Sequence, residues 1–575
     1  MSQASAAGSS TRVTATTRIL IAIAMLVGLA TVAVTVARMF YSVDFSDEAL
    51  YALIPYRFAL GAKPFVDELL FQQTSAFLTY PFVKLWYLIT GSTAGIILFM
   101  RFLSLFFMAA VGGCVWVMIR RTVGRSIALL AVLPCVAFFY FNIPGLGYNT
   151  LGLGWLTVGC FLGFFASGDR HKWLTAAGAA HGLAVVAYPS LAIGVAVFAI
   201  LLFLTSPSEE RWEGMLRYAL GGGAIAGVLF LVFAVAGFGN VVESYRNTAA
   251  AGVFGGGLAK IAMIARAAWA GLEGKAVLAV GFVAALALKR RYPLAAGLIL
   301  LTAPVAPLFV IGYQGFAQSS GYIAYYALLA PLLFFFARGE PEMDRLLWLV
   351  WLPGLAAAAA VSYTTGKGFL AAAVGLFPSA LVTSIFLVRA VRRLWARHGE
   401  WGRLAGAAAL LIPLVALLFY QFNTPYRDDP VALLTARVNS GPYAGLYTGP
   451  QKRAFLDSVS RDLTRASAGA KTLFVFENFP AGYLLTPLTP LTDKVWVAPS
   501  AMYPRVDRGT TVRYFANTRK YPDLVLKMNR IVYKSDYTEE LSYPAKDPLS
   551  RWAAGRDYRP AVTRPDYMIL HRTTP

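Results

Sequence analysis

Five carboxylates crowd into one short stretch of this chain: Asp44, Asp47 and Glu48, then Asp67 and Glu68. They follow directly on an unbroken apolar run over residues 19–37, bracketed by Arg18 and Arg38. Ser46-Asp47-Glu48 suits the first turn of a helix, where a serine caps and acidic side chains favour the dipole. Capping accounts for one acid; it does not account for five converging on a loop beside a membrane. A carboxylate so placed can work as a general base, taking the proton of a hydroxyl as its oxygen attacks an anomeric carbon. A phosphate leaving group then needs cationic or amide donors to hold its charge. Arg57, Lys63 and Lys84 lie in the same stretch, and Arg246, Lys260 and Lys367 lie in or beside other loops. Each can equally well snorkel to lipid headgroups.

The elements that must position these groups are membrane spans. The 575 residues are 58% hydrophobic and only 14% charged, a surface that water would not tolerate on a soluble protein of this size. The net charge of +22 does not point to nucleic acid, because the basic residues fall in short clusters between apolar runs. Cys114, Cys135 and Cys160 all sit in apolar runs with no metal-ligand spacing, which excludes a disulfide scaffold or zinc site.

Placing every Lys/Arg cluster in the cytoplasm, from Arg12/Arg18 to the strongest at Arg389–Arg403, demands an even number of spans between clusters. The segment 74–89 is apolar but carries Pro81, Lys84 and many aromatics, and as a span it would put Arg120-Arg121 outside. It therefore reads as an interfacial helix on the outer face, the alternative being a true span with a compensating one missed elsewhere. The count is then thirteen spans. Residues 1–18 form a disordered cytoplasmic tail, 19–420 the transmembrane domain with its first outer loop at 40–92, and 421–575 an extracytoplasmic part. That last part reads as a small α/β domain: an amphipathic helix within 447–468 and strands at 471–476, 522–526 and 565–570. It has no phosphate-binding glycine loop and no nucleophile elbow, so it is assigned a covering or acceptor-binding role.

Asp47-Glu48-Ala49-Leu50-Tyr51-Ala52 and Gly61-Ala62-Lys63-Pro64-Phe65-Val66-Asp67 resemble the first outer loop of GT-C glycosyltransferases, in the branch of protein O-mannosyltransferases and the lipid A aminoarabinose transferase. The resemblance is specific over about residues 44–88 and architectural elsewhere. It implies a polytopic α-helical fold of GT-C type and transfer of a sugar from a polyprenyl-phosphate donor to an extracytoplasmic glycan, lipid or protein. The first-loop catalytic aspartate carries over onto Asp47, with Glu48, Asp67 or Glu68 assisting. Two departures stand out. Where relatives often have Lys-Pro-Pro or His-Pro-Pro, this chain has Phe71-Gln72-Gln73-Thr74-Ser75. Where many place an aspartate in the next outer loop, it has Tyr148-Asn149. Both disfavour a divalent metal, and no cofactor is assigned; they fit a site that holds a sugar with amides and hydroxyls. Tyr148-Asn149 can also be ordinary helix capping. A further polar loop carries Gln314 and Gln318, ahead of Tyr322, Tyr325 and Tyr326.

The composition bias suggests a GC-rich bacterium, which puts the site on the outer side of the plasma (inner) membrane. Two other classes remain in view. A transporter or flippase of lipid-linked sugars would need acids inside spans, where only Glu273 comes near. A scaffold with a cell-wall-binding tail would leave the acidic loop merely capped.

Overall fold

The computed structural model describes residues 15–573 apart from 71, 167–171, 249–256, 271–274, 305–317, 397–399, 498–507, 542, 544–546 and 556–557. Most of the expected N-terminal tail and Gln314 lie outside the described residues. Seven described helices are long and apolar enough to cross a membrane, and six shorter apolar helices accompany them. Each of the thirteen expected segments overlaps one of these, although the six shorter ones fall below a full crossing over the described residues. The loops carrying three of the basic clusters meet at one end of the bundle. Arg389 donates to the carbonyl of Thr122, and Arg393 to that of Arg338. Glu340 pairs with both arginines at 3.3 Å.

The acidic loop lies at the other end. It follows α1 (Ala15–Met39) and comprises α2 (Asp47–Ala59) and α3 (Gln73–Thr90), before α4 (Ile96–Val123) re-enters the bundle. α3 buries Thr74, Ala76, Thr79 and Val83 and exposes Phe82, Leu85, Leu88 and Ile89, so one face is packed and the other apolar and open. α2 is a single helix with Pro55 inside it. The proline removes one hydrogen bond, and every residue from Glu48 to Ala59 is buried, which holds the helix together across the defect. Gly61, with φ 98°, turns the chain away just past its end.

What orients α2 is a buried ion pair. Arg101, on α4, donates from Nε and Nη2 to both oxygens of Glu48, each at 2.6 Å. The same guanidinium donates to the carbonyls of Met39, Tyr41 and Ser42 at 2.7–2.9 Å. Arg101 is 0% and Glu48 2% exposed, so each charge is satisfied by the other and, for Arg101, by these carbonyls rather than by water.

Beyond the last apolar helix a short antiparallel pair, β1 (Ala436–Arg437) and β2 (Tyr447–Thr448), precedes a mixed five-stranded sheet in the order β4-β3-β5-β9-β8, from β3 (Thr472–Phe476), β4 (Thr489–Pro490), β5 (Leu524–Met528), β8 (Tyr558–Thr563) and β9 (Tyr567–Arg572). β3, β4 and β5 are parallel; β9 and β8 are antiparallel. A separate hairpin joins β6 (Arg530–Lys534) to β7 (Tyr537–Glu540). The expected amphipathic helix is Pro450–Ala466. This part docks on the first loop. Ser42 N donates to Tyr447 O at 2.8 Å and Tyr447 N to Phe40 O at 2.7 Å. Phe45 inserts between Tyr443, Phe455 and Phe479, with ring centroids at 5.9, 5.6 and 5.2 Å.

Arg101→Met is expected to cost about 3–5 kcal/mol, because it strands the buried Glu48 charge. Thermal unfolding of the full-length protein in nanodiscs checks this, and the double variant Glu48→Leu/Arg101→Met should recover most of the loss.

Candidate active site

Because Arg101 fixes Glu48, the residue before it on α2 is aimed elsewhere. Asp47 is 29% exposed at the side chain and meets three groups from outside the loop. The Tyr426 hydroxyl donates to its Oδ2. Arg427 Nη1 lies 3.7 Å from the same oxygen. Lys367, in the turn between two apolar helices, adds a second positive field. The Lys367 ammonium sits 4.4 Å from the Phe141 ring centre and 5.9 Å from that of Tyr426.

Asp44 shares the arginine: Nη1 of Arg427 is 3.9 Å from its Oδ1. The expected cap, Ser46, occupies the N-cap position but makes no capping bond; its hydroxyl donates to Asn478 Oδ1 at 2.9 Å. Asp44 does the capping, accepting from Glu48 N at 2.7 Å and Ser46 N at 3.3 Å. The two acids titrate apart. Burial pushes the Asp44 carboxyl up to about 6, against the pull of Arg427. Burial also acts on Asp47, but Arg427, Lys367 and the Tyr426 hydroxyl outweigh it and hold the carboxyl below its usual range. Burial lowers the Lys367 ammonium, with Asp47 opposing. Asp47 is thus ionised at neutral pH, and Asp44 is the first of the pair to take up a proton as pH falls.

A pocket opens one helical turn further along the same face of α2. Its α2 wall is Leu50, Tyr51, Ile54 and Pro55; Ala76 and Thr79 of α3 and Leu146 and Gly147 face them. With Asp47 these α2 positions run i, i+3, i+4, i+7, i+8, so the base-like group heads an apolar stripe. Gly147 is required for the approach: a Cβ there would stand 2.5 Å from the Tyr51 ring.

The other expected site residues separate into distinct places. Tyr148 and Asn149 join this wall. Tyr148 packs edge-on against Tyr51 at 5.7 Å, and Asn149 Nδ2 donates to the Tyr51 hydroxyl at 3.2 Å. Gln72 lines the pocket. Glu68 does not reach Asp47: it pairs with buried Arg57 at 2.8 Å, while Arg57 also donates to Thr492 O. Together they clamp the loop to the C-terminal part. Gln73 staples the loop internally, accepting from Phe65 N and donating to Glu68 O, both at 2.8 Å. Asp67 closes a turn by accepting from Lys63 N at 2.7 Å, with the Lys63 side chain exposed. Lys84 donates to Ala59 O at 2.9 Å and so finishes α2. Gln318 opens the helix Gln318–Leu328. His181 is buried between Cys160 and Tyr218.

Tyr426 and Arg427 had not been singled out from the sequence. Their signal was the polar burst Tyr426-Arg427-Asp428-Asp429 between Pro425 and Pro430, directly after the last apolar helix. Its acids are anchors: Asp428 accepts from Val43 N at 2.7 Å and Thr448 Oγ1 at 2.8 Å. Strain concentrates here. Ser42, Phe141, Asn142, Arg427 and Asn478 hold φ between 44° and 76° without being glycine. Each such residue costs on the order of 1–3 kcal/mol, tolerated where surrounding bonds over-determine it, as at functional sites.

For a divalent cation the donor set does not fit. The Arg427 guanidinium stands between the Asp44 and Asp47 carboxylates, and no group of three or more His, Cys, Asp or Glu gathers among the described residues.

No protein-family model matches the chain, and no curated sequence matches it. Among solved structures, it is similar to an Archaeoglobus fulgidus oligosaccharyltransferase complexed with Zn and sulfate. The identity is 14% over 88% of this chain and 68% of that one, with a TM-score of 0.45. It is also similar to ArnT from Cupriavidus metallidurans in the apo state, at 14% identity over 97% of both chains, with a TM-score of 0.38. Likenesses this distant carry no weight on chemistry, which rests on the site's own geometry.

Proposed function

We propose that this chain is an integral-membrane glycosyltransferase of GT-C type, moving a sugar from a polyprenyl-phosphate donor to an acceptor hydroxyl on the extracytoplasmic face of a bacterial plasma membrane. The observation that carries the reading is Asp47: an open, ionised carboxylate flanked by two cations at the head of an apolar stripe. The stripe takes the first isoprene units, which leaves the phosphate beside Arg427 and Lys367. Arg427 Nη1 finds no acceptor at hydrogen-bond distance among the described residues, so it has a donor to give.

The reaction balances in one displacement. The acceptor oxygen bonds to the anomeric carbon as the carbon–phosphate-oxygen bond breaks, and that electron pair stays on the polyprenyl phosphate, held by the cations. The acceptor proton passes to Asp47 Oδ1, since Tyr426 occupies Oδ2. A carboxylate with a lowered pKa is a weak base towards an ordinary hydroxyl. It becomes competent as the new bond makes that oxygen acidic, so proton transfer runs late and the anomeric centre inverts. Glu48, Glu68 and Arg57 serve as frame, and Asp67 and Lys63 as a turn. Tyr148, Asn149 and Gln72 face the sugar and the first isoprene unit.

Two measurements test this with a labelled polyprenyl-phosphate sugar. Asp47→Asn should lower the transfer rate by roughly 10²–10⁴-fold at unchanged expression and donor binding; an unimpaired rate removes Asp47 from its role. The pH profile gives the second. With its pKa depressed, Asp47 stays ionised as pH falls through the usual carboxylate range, so its acid limb lies below that range. Arg427→Met removes the strongest favourable charge, raises the pKa and should move the acid limb towards neutrality.

A further inference from the structure

The β6–β7 hairpin is tied to this site at its turn. Ser535 donates to Asp429 from its backbone N at 3.0 Å and its hydroxyl at 2.8 Å, and Asp429 is two residues after Arg427. The hairpin register shifts between Val532 and Lys534. A bulge re-aims the side chain it carries, and here that residue is Tyr533. Its ring lies 5.0 Å from the Arg427 guanidinium. On its other side it stacks on Tyr537 at 5.8 Å with planes 14° apart. One guanidinium therefore touches both Asp47 and the hairpin.

The patch continues outward. Tyr537 is 48% exposed. Glu539, on the same face of β7 two residues on, accepts from the Tyr533 hydroxyl at 2.9 Å and from Asn478 Nδ2 at 3.1 Å. Asn478 Oδ1 accepts from Trp496 Nε1 at 2.8 Å and from the hydroxyl of Ser46, the residue before Asp47. The exposed ring of Tyr537 and the half-buried Glu539 and Trp496 thus reach the surface beside the site, and the buried Asn478 amide ties them from beneath to the residue before Asp47.

We infer that this hairpin surface is the acceptor platform and that the acceptor is a neutral glycan. The inference rests on the transferase reading. A sugar presents an apolar C–H face with a rim of hydroxyls. The ring of Tyr537 suits the first, and the half-buried Glu539 carboxylate, which accepts from hydroxyls and would repel an acidic sugar, suits the second. A lipid acceptor would want a continuous apolar trough, which the carboxylate interrupts.

Saturation-transfer NMR tests this on the full-length protein in nanodiscs, with short neutral oligosaccharides of hexoses or pentoses as probes. Binding should appear, weaken about ten-fold in Tyr537→Ala and persist in Tyr537→Phe, with all three proteins melting alike. No signal to any of these sugars, equal affinity in Tyr537→Ala, or Tyr537-dependent binding of a serine-rich peptide in their place would overturn the platform. The assay contains no donor. Sugar binding without Asp47-dependent transfer would keep the platform and remove the transferase reading, and Asp47-dependent transfer without sugar binding would do the reverse.

Discussion

One buried guanidinium sets the geometry of the whole first loop. Arg101 rises from a span into the base of the first loop, where it gathers three backbone carbonyls and both oxygens of Glu48. A charge so deeply buried tolerates almost no displacement, since any shift leaves donors unsatisfied in a medium that cannot replace them. The carbonyls belong to the chain leaving α1 and the carboxylate to the first turn of α2, so a single side chain fixes the exit of one element and the entry of the next. Such a pair adds little net stability over apolar residues of the same size. Its physical return is orientation.

That orientation sorts five acids of one type into different roles. Glu48 and Glu68 are each matched by a buried arginine and become parts of the frame. Asp67 satisfies a turn, and Asp44 caps α2 with a carboxyl near neutrality. Asp47 alone keeps an open face while two cations hold it charged. The arginine that serves it stands in a strained left-handed conformation, kept there in part because Lys452 donates to its carbonyl at 2.7 Å. The strain is local, and the bonds that offset it come from the C-terminal part.

Much of this was legible beforehand because it depends on local pattern. Candidate spans announce themselves by apolar length. The strand at Thr472–Phe476 and the helix at Pro450–Ala466 follow from periodicity. Asp47 stood out by position. What stayed hidden was pairing across sequence. No local signal says that Glu48 meets Arg101, or that Arg57 meets Glu68 rather than a ligand, because an arginine for a phosphate and one for a carboxylate read identically. Ser46 looked like a cap by residue type; the actual choice of Asp44 depends on Asn478, more than four hundred residues away, engaging the serine. The meeting of Arg427 with Asp47 and with the hairpin stayed hidden for the same reason.

The register of α2 ties the two halves of the proposed reaction together. Asp47 and the apolar positions Leu50, Tyr51 and Ile54 lie on one helix face, whereas Glu48 lies about 100° around the axis. Turning α2 by a single residue would carry the carboxylate away from its cations and the stripe away from α3 at once. A lipid-borne sugar has its reactive carbon at a set distance from the first isoprene unit, so a base that could move independently of the lipid groove would lose alignment with every fluctuation. Building both on one rigid helix, and pinning that helix through the neighbouring residue to a span, makes position of the donor and position of the base the same degree of freedom.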